Sequence, residues 1–266
     1  MKINISKDFR PKYKTKLLRV GRNNDGGYLI PKDAINETKI LYSMGLSDDW
    51  SFEESLFNLK NDIKIFSYDK SVNYKFWLKN FIINLINFVK LNNNFKIFLK
   101  NTLSYFKYRI FFGKPNIIHI KKNIEEKKVY NILGQDYSKS IDEILQENGN
   151  NNFSMKIDIE GNEYRILDDI ILNQKGLEFL VIEFHNIDLM ENHIKSFLQN
   201  LSLDLVHIHV NNFGGINKNG HAKVIEFTFS KRKYNFLRNN NEFRFPESID
   251  QPNNPNIEDM QVYFVD

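Results

Sequence analysis

Polar and ionisable residues follow several short apolar runs, at the points where the runs end. The groups are Gly45-Leu-Ser-Asp48-Asp49, Asp69, Asp158-Ile-Glu160-Gly161 and Glu183-Phe-His185-Asn186. Runs of β-branched and aromatic residues bounded by turn residues predict buried strands, whose ends are more often apolar or simple turns when they have no function. Because the carboxyl ends of parallel strands line one crevice, these groups predict a shared functional site.

The first two groups favour a nucleoside that carries a positive charge. Gly45 lets the backbone approach a ligand closely, and the helix predicted to begin near Ser51 offers free N–H groups. Asp69 is placed to accept hydrogen bonds from both hydroxyls of a ribose. A phosphate would favour a G-x-G-x-x-G or lysine-bearing loop, and the sequence has neither. Asp48, Asp49 and Asp69 repel a pyrophosphate but suit a sulfonium, which favours S-adenosylmethionine over a dinucleotide.

The last two groups contain candidates for moving a proton. If the ligand is S-adenosylmethionine, transfer of its methyl group requires alignment of the acceptor atom and, for a protonated acceptor, removal of the proton. His185 is the predicted base, with Asp158 and Glu160 beside it, since imidazole suits proton transfer near neutral pH. The alternative is a core histidine bonded to a backbone carbonyl.

A metal-assisted route is also open from the sequence. Asp158, His185 and His209 would converge if the sixth strand lies close enough, with Asn211 or Asn212 as a further oxygen ligand. Such a set could hold Mg²⁺ or Mn²⁺ and lower the pKa of the acceptor hydroxyl. The sequence leaves open whether any metal takes part.

Seven apolar runs, separated mostly by segments with helical spacing, predict the elements that position these groups. The runs cover residues 39–44, 62–68, 116–120, 153–159, 177–184, 203–210 and 223–229, and helical spacing covers 51–59, 141–147, 162–172 and 189–201. This alternation predicts an α/β fold with a mostly parallel sheet. The turn signal at 211–215 predicts that the last two strands form an antiparallel hairpin at one edge. We expect a seven-stranded sheet with that reversed last hairpin.

A basic insertion interrupts the alternation between the second and third strands. With 266 residues, 41% of them hydrophobic, the chain fits one domain over 1–266 that carries a helical, aromatic-rich insertion at 72–115. Eleven Lys or Arg residues and no acidic residue lie between Asp69 and Glu125. The insertion is expected to be a lid or substrate platform. Its charge would attract an anionic partner, or it is only a solvated helical face.

Several classes of protein are excluded or disfavoured. The absence of cysteine excludes disulfides, thiolate zinc sites and cysteine nucleophiles. The first 14 residues have charges but no apolar stretch typical of a signal peptide. The most apolar segment, 76–89, is interrupted by Lys79 and three asparagines, so it does not predict a spanning helix. The expected location is the cytoplasm.

Four motifs resemble one known family. Lys156-Ile-Asp-Ile-Glu-Gly-Asn-Glu163, followed by Leu167 and Leu-Val-Ile-Glu-Phe-His185, resembles the FkbM-type methyltransferase domain. Segments similar to one branch of that family are Gly21-Arg-Asn-Asn-Asp-Gly-Gly-Tyr28, Leu41-Tyr-Ser-Met-Gly-Leu-Ser-Asp-Asp-Trp-Ser-Phe-Glu53 and His207-Ile-His-Val-Asn-Asn212. The resemblance covers about residues 18–230 except the insertion. It implies a Rossmann-like class I methyltransferase fold that uses S-adenosylmethionine, mostly for O-methylation of sugars in natural products and surface polysaccharides.

The resemblance also implies roles for individual residues. Those expected at the cofactor are Gly45, Ser47, Asp48, Asp69, Asp25 and Gly26, with Asp158 and Glu160 beside the methyl group. Arg22 and Gly27 belong to the same loop as Asp25, at the cofactor or its mouth, although Gly26-Gly27 also suits an ordinary tight turn. The residues expected to face the acceptor are Arg22, His209, Asn211 and Asn212.

The leading hypothesis is an O-methyltransferase acting on a sugar, or its phosphorylated or nucleotide-linked form, in capsule biosynthesis. One alternative is a metal-dependent glycosyltransferase with Asp158 and Glu160 as an acidic pair. A second is a nucleic-acid methyltransferase that uses the basic insertion, which the missing base-methylation motifs disfavour. A third is a membrane-surface protein anchored through 76–112, which is compatible with catalysis. The acceptor, the hydroxyl position and the oligomeric state stay open.

Overall fold

A seven-stranded sheet forms the centre of the computed structural model, which describes residues 2–90, 94–126, 138–233, 237–238 and 243–265. Its strands are β1 (Ile40–Met44), β2 (Lys64–Tyr68), β3 (Ile117–Ile120), β4 (Phe153–Ile157), β5 (Leu177–His185), β6 (Asp204–Val210) and β7 (Val224–Ser230). Their order is β3-β2-β1-β4-β5-β7-β6, and β7 runs antiparallel to both of its neighbours. The other adjacent pairs are parallel, so the predicted α/β class with a mostly parallel sheet is confirmed.

Seven α-helices accompany the sheet within the described ranges. They are α1 (Lys32–Glu37), α2 (Ser51–Leu59), α3 (Tyr74–Val89), α4 (Phe95–Phe111), α5 (Ile141–Asn148), α6 (Leu167–Asn173) and α7 (Ile187–Asn200). Short 3₁₀ helices cover Lys7–Phe9, Glu163–Arg165 and Gln174–Gly176. The helix predicted over 162–172 is therefore divided into a 3₁₀ turn and α6, which leaves Glu163 in the loop after β4.

The sheet is buried on both faces, which explains the continuous apolar runs of its strands. All five residues of β1 and eight of the nine residues of β5 are buried. Alternate residues belong to two apolar clusters: Tyr42 and Ile182 pack in one, and Leu41 and Val181 in the other. Because successive side chains of a strand point to opposite faces, the two clusters lie on the two sides of the sheet.

Four short strand pairs lie outside the central sheet. Leu17–Val20 and Tyr28–Pro31 form an antiparallel hairpin that precedes β1. Lys2–Ser6 pairs in parallel with Gln261–Val265, so the beginning and the end of the described chain lie side by side. The remaining pairs are Tyr13–Lys14 with Leu237–Arg238 and Asn123–Ile124 with Ser138–Lys139.

The insertion between β2 and β3 is a helical hairpin made of α3 and α4, and its residues 91–93 lie outside the described residues. Asn84 fixes one helix on the other, since its side-chain amide donates to the Phe98 carbonyl (2.9 Å) and to Thr102 Oγ1 (3.1 Å). Trp77 packs against Trp50 and Tyr108 at the base of the hairpin. Within the described ranges, no helix combines the length and the apolar character needed to cross a bilayer.

Candidate functional site

The tips of β1, β2 and β4 meet at Gly45. Its φ is +82°, and a β-carbon there would lie 1.6 Å from the Asp158 carbonyl oxygen. The Gly45 N–H donates to the Tyr68 carbonyl (3.1 Å), and its carbonyl accepts from Lys156 Nζ (2.7 Å). Only glycine permits both this backbone conformation and this close approach. Gly45 therefore holds three strand ends around one point.

Asp69, at the end of β2, fixes the loop that follows β1. Its Oδ2 accepts from the backbone N–H groups of Leu46 (2.9 Å) and Ser47 (2.8 Å), and its Oδ1 accepts from Ser71 N (2.7 Å). Burial raises the pKa of Asp69, but these hydrogen bonds outweigh burial and hold it below the ordinary value. Ser47 has a positive φ of 48°, a conformation that residues other than glycine rarely adopt.

A cavity of about 420 Å³ opens at these strand ends. Among the residues that line it are Arg22, Asp25, Gly26, Gly45, Ser47, Asp48, Asp49, Glu53, Asp69, Glu125, Lys156, Asp158 and Glu160. Eight of the lining residues are acidic and two are basic, so the cavity favours a cationic ligand over an anionic one.

Glu53, on the first turn of α2, is a buried carboxylate at the edge of this cavity. One oxygen accepts a hydrogen bond from Ser43 Oγ, and the other has no partner among the residues that the structure describes. Burial raises its pKa, while Lys156 and Ser43 act in the opposite direction. A buried oxygen without a partner is costly, and a ligand with an N–H donor would relieve that cost.

The 21–27 loop closes one side of the cavity. Gly26 has a φ of +82°, and a β-carbon there would lie 2.1 Å from Asp49 Oδ2. Arg22 Nε pairs with the same oxygen at 3.1 Å. Arg19 holds the loop from behind, since its guanidinium donates to the Arg22 and Asn24 carbonyls, both at 2.9 Å. The loop is therefore packed against Asp49, in the segment between β1 and α2.

Asn253 joins this loop to the far end of the described chain. Its carbonyl accepts from the Asp25 N–H (3.3 Å), and its side-chain amide donates to Asp25 Oδ1 (3.3 Å) and to Glu226 Oε1 (2.8 Å). Burial raises the pKa of Asp25, and the neighbouring Asp158 and Glu226 add to that effect. The 250–260 segment thus supports the 21–27 side of the cavity from outside the central sheet.

Asp158 is held by two neighbours that the sequence did not single out. Tyr28 Oη donates to Asp158 Oδ2 at 3.1 Å, and Lys156 Nζ lies 3.6 Å from the same oxygen. Burial lowers the pKa of Lys156, but Asp158, Glu53 and Glu183 outweigh burial and raise it, so Lys156 stays charged. Asp158 therefore has a fixed orientation and a partner of opposite charge.

His185 lies beside Asp158 and forms a pair with Glu163. Its Nδ1 is 3.0 Å from Oε1 of Glu163, and Nε2 faces Glu183 Oε1 (3.4 Å) and Glu160 Oε2 (3.5 Å). Burial lowers the pKa of His185, but the Glu163 carboxylate outweighs burial and raises it. Since Glu163 fixes one ring nitrogen, the other is left to exchange a proton.

Glu163 itself is fully buried, and the same oxygen accepts from Ile159 N and Gly161 N, both at 3.1 Å. It therefore shapes the loop after β4 that carries Glu160, whose φ of 55° is positive. The Glu163 carboxylate therefore both fixes the conformation of this loop and orients His185.

Ligand atoms of Asp158, Glu183 and His185 all lie within 4.8 Å of one another. Burial raises the pKa of Glu183, and the charges of Asp158 and Glu226 raise it further. In the structure, Glu183 completes the group with Asp158 and His185, in which the sequence predicted His209.

His209 is not close to this group because β7 lies between β5 and β6. Its ring nitrogens face Glu226 (3.4 Å) and Asp259 (3.1 Å). The prediction that His209 converges with Asp158 and His185 is wrong for that reason. Asn212 is also turned away, since its amide donates to the Asn254 and Ile257 carbonyls at 3.2 Å.

Asn211 lies closer to the group but faces inward. Its side-chain amide donates to Glu183 Oε1 at 3.1 Å, and its side-chain oxygen accepts from Phe213 N at 2.9 Å. It orients Glu183 and is buried, so it does not line the cavity at the strand ends. His209, Asn211 and Asn212 therefore make structural contacts in this fold and line neither of the two cavities at this edge of the sheet, while their predicted role at the acceptor stays a prediction.

Of the other predicted residues, all but His185 line the cavity; His185 lies next to it, with Nε2 3.5 Å from Oε2 of the lining residue Glu160. Lining the cavity are Gly45, Ser47, Asp48, Asp69, Asp25, Gly26, Arg22, Asp158 and Glu160. Sequence reasoning missed Tyr28, Glu53 and Glu163, and it gave no role to Lys156 or Glu183. The sequence spacing could have identified Lys156 and Glu183. Each lies two residues before a predicted site residue, Asp158 or His185, and residues two apart on a strand point to the same face.

A second cavity, of about 580 Å³, adjoins the first and shares Arg22, Asp48 and Asp49 with it. It lies between the start of α2 and α4, and α4 and the turn after it contribute Lys100, Lys107 and Lys114. The insertion therefore places positive charge beside the acidic cavity.

No family model and no curated protein matches the chain. Solved structures that are similar include a Geobacter metallireducens precorrin-6y C5,15-methyltransferase, with 11% identity, a TM-score of 0.34 and coverage of 75% of this chain and 87% of that one. Another is a Streptococcus pneumoniae putative tRNA (m1A22) methyltransferase in complex with S-adenosyl-L-methionine, with 13% identity, a TM-score of 0.37 and coverage of 76% and 73%. The Methanococcus jannaschii fibrillarin pre-rRNA processing protein has 12% identity, a TM-score of 0.38 and coverage of 86% and 87%. Likenesses this distant do not define a reaction, which has to be inferred from the site.

Proposed function

We propose that the protein is an S-adenosylmethionine-dependent O-methyltransferase with a class I methyltransferase fold, of the FkbM type, acting in the cytoplasm. The observation that carries this proposal is the acidic cavity at the ends of β1, β2 and β4, where eight acidic residues and two basic ones surround one space. A sulfonium with an α-amino group carries positive charge that such a cavity stabilises, whereas a pyrophosphate would be repelled.

Three features fit the parts of this cofactor. Gly45 gives the backbone the close approach that a bound nucleoside requires, since any side chain would collide with Asp158. The unpartnered oxygen of Glu53 suits the ammonium group. Asp69 lies at the end of the neighbouring strand, where a ribose hydroxyl can donate to a carboxylate that already holds the Gly45 loop.

The same geometry supports the transfer step. Bound S-adenosylmethionine supplies a methyl group on an already activated thioether leaving group. An acceptor hydroxyl aligned with the methyl group would form the C–O bond as the C–S bond of the cofactor breaks, and His185 Nε2 would accept its proton. Glu163 holds Nδ1 of His185 and would stabilise the resulting imidazolium. Tyr28 and Lys156 fix the orientation of Asp158, which lines the cavity.

The acceptor that suits the second cavity is a sugar with an anionic group. Lys100, Lys107 and Lys114 supply positive charge next to the acidic cavity, because the two cavities share Arg22, Asp48 and Asp49 in their linings. A sugar phosphate or nucleotide-linked sugar would place its hydroxyl in one cavity and its phosphate in the other. Such acceptors are the precursors of surface polysaccharides, so capsule biosynthesis is the process we propose.

A divalent metal is a second route to the same deprotonation. Asp158, Glu183 and His185 offer two carboxylates and an imidazole, a donor set that suits Mn²⁺ better than Mg²⁺. However, Asp158 already has Lys156 as its cationic partner, and Glu163 pairs with His185. We therefore favour proton removal by His185 without a metal.

Thermal unfolding with S-adenosylhomocysteine tests the proposal most directly. A ligand that binds the native state raises the midpoint, by an amount that grows with ligand concentration. We expect a rise with S-adenosylhomocysteine and none with NAD or a nucleoside diphosphate. A flat response over a wide concentration range would contradict the proposed cofactor. Methyl transfer is then measured as S-adenosylhomocysteine release in the presence of sugar phosphates and nucleotide sugars.

The carboxylate–imidazole group also favours one other candidate, a metal-dependent glycosyltransferase. That enzyme would bind a nucleotide sugar only with Mn²⁺ and would not respond to S-adenosylmethionine. Calorimetric titration with both ligands, with and without Mn²⁺, separates the two functions.

A further inference from the structure

The α3–α4 hairpin exposes much of its apolar surface. In α3 the only buried side chain is Asn84, and in α4 the buried side chains are Tyr108 and Phe111. Among the described residues, 23 large hydrophobic side chains are exposed, and 15 of them lie on this hairpin. Concentrated exposure of this kind marks a surface that binds a partner.

Of the eight large hydrophobic residues exposed on α3, all but Ile83 form one stripe along the helix. The stripe consists of Tyr74, Leu78, Phe81, Ile82, Leu85, Ile86 and Val89. Their spacing of one, three or four residues keeps them within an arc of roughly 140° at 3.6 residues per turn. The opposite side of α3 carries the asparagines at 80, 84 and 87, and Asn84 contacts α4. The apolar stripe is therefore turned away from the hairpin's own contact.

Five of the seven large hydrophobic residues exposed on α4 repeat the arrangement, and Ile97 and Tyr105 lie outside it. The five are Phe95, Leu99, Leu103, Phe106 and Ile110, spaced by three or four residues. Four exposed lysines that line neither cavity lie along one edge of the stripes: Lys75, Lys79 and Lys90 on or just after α3, and Lys96 on α4. Since no acidic residue occurs between Asp69 and Glu125, no negative charge offsets them within the insertion.

We infer that the α3–α4 hairpin binds the surface of an anionic phospholipid bilayer. Apolar stripes enter the region between headgroups and acyl chains, and lysines along their edge pair with the headgroups. The helices have 16 and 17 residues and neither is a candidate span, so the hairpin lies on the membrane without crossing it.

The charge of the hairpin argues against two other occupants. A second copy of this chain would place lysine-rich surfaces against each other, which like charges oppose. A nucleic acid would satisfy the lysines but would leave the apolar stripes exposed to water. An anionic bilayer can both pair with the lysines and remove the apolar stripes from water.

Flotation of the full-length protein with vesicles tests this inference. We expect binding to vesicles of phosphatidylglycerol and phosphatidylethanolamine, and at least about tenfold weaker binding to phosphatidylcholine vesicles. The triple variant Val89→Ser, Phe106→Ser, Ile110→Ser removes exposed apolar groups and should abolish most of the binding. The variant Lys75→Gln, Lys79→Gln, Lys96→Gln should weaken it by on the order of a hundredfold at low salt.

A matched control comes from exposed leucines outside the hairpin. Leu172 and Leu189 are 80% and 78% exposed, against 71% for Val89 and 72% for Ile110. The variant Leu172→Ser, Leu189→Ser should bind vesicles like the natural sequence. Equal loss in the control and hairpin variants would overturn the inference, as would absence of binding to the anionic vesicles.

Two further measurements keep the result independent of the proposed reaction. The thermal response to S-adenosylhomocysteine should be unchanged in all three variants, because none of the substituted residues lines the acidic cavity. Sedimentation equilibrium should show the same mass for the natural and hairpin variants. A dimer that the apolar hairpin variant dissociates would assign the stripes to a second copy and overturn the membrane assignment.

Discussion

His185 Nδ1 lies 3.0 Å from Oε1 of Glu163, a carboxylate with no exposed surface. The pair determines how the proposed base titrates, because Glu163 raises the pKa of His185 above its ordinary value of 6.5. A base acts in its neutral form, so kcat should rise with pH through a value above 6.5.

The variant Glu163→Gln should move that rising limb to lower pH, since glutamine removes the charge that favours the imidazolium. His185→Asn should lower kcat by about 10²- to 10⁴-fold with little change in the affinity for S-adenosylmethionine. The measurement is kcat against pH at saturating cofactor. A rising limb at the same pH in Glu163→Gln would remove His185 as the titrating base.

Substitution of Gly45 should destroy cofactor binding. In Gly45→Ala the new β-carbon would meet the Asp158 carbonyl, so the ends of β1 and β4 must separate. Gly220→Ala is the matched control, since Gly220 has a similar φ of +80° and open space around it. The control should lose only about 1–2 kcal/mol of stability from backbone strain. Calorimetric titration with S-adenosylhomocysteine should show normal binding in the control and none in Gly45→Ala.

Asp69 predicts a specific dependence of stability on pH. Its folded-state pKa lies below the ordinary value of 3.8, so its contribution to stability is present above that pH and is lost as the pH falls further. Asp69→Asn cannot titrate and cannot accept all three backbone hydrogen bonds. The melting temperature of the natural sequence should exceed that of the variant at pH 7, and the gap should narrow below about pH 4. If the difference in melting temperature between the natural sequence and Asp69→Asn stays constant from pH 7 to below about pH 4, the lowered pKa assigned to Asp69 is contradicted.

Removal of metal ions should leave activity intact. Proton removal by His185 needs no cation, so the enzyme should keep its kcat after treatment with a chelator. If the chelator abolishes turnover and Mn²⁺ restores it, the metal route through Asp158, Glu183 and His185 replaces the metal-free one. The variant Glu183→Gln then reports the ligand directly, since it should weaken Mn²⁺ affinity.

Lys107 should discriminate between charged and neutral acceptors. It lines the second cavity, so Lys107→Gln should raise KM for a phosphorylated sugar several-fold and leave kcat unchanged. Lys75→Gln is the control, because Lys75 is an exposed lysine of the same hairpin that does not line this cavity. Equal effects of the two substitutions would mean that only the overall charge of the hairpin matters.

The sequence predicted the ends of the strands well because they depend on neighbouring residues in the chain. The bounds of α2 agree with the predicted 51–59, and all seven strands lie within two residues of the predicted runs. The apolar periodicity and the turn residues are sufficient for this. The N-terminal hairpin was not predicted, since Leu17–Val20 and Tyr28–Pro31 are four-residue strands whose pairing depends on packing against the sheet.

Contacts between strand ends could not be predicted in the same way. The sequence predicted His209 in the group with Asp158 and His185, whereas the structure has Glu183 there. The reason is that spacing along the chain does not show that β7 lies between β5 and β6. Glu163 is the second residue of the helix predicted over 162–172, but the chain there turns as a 3₁₀ helix, which aims the carboxylate at His185. Such roles depend on sheet order and loop conformation.

Asn253 has a consequence for the synthesis of the protein. It follows Asp25 by 228 residues, yet it holds the loop on which Asp25 lies. A ribosome must therefore have translated the chain through residue 253 before that loop can take its final position. Nascent chains released before this asparagine should not bind S-adenosylhomocysteine, so ligand binding reports translation through Asn253 as well as correct folding.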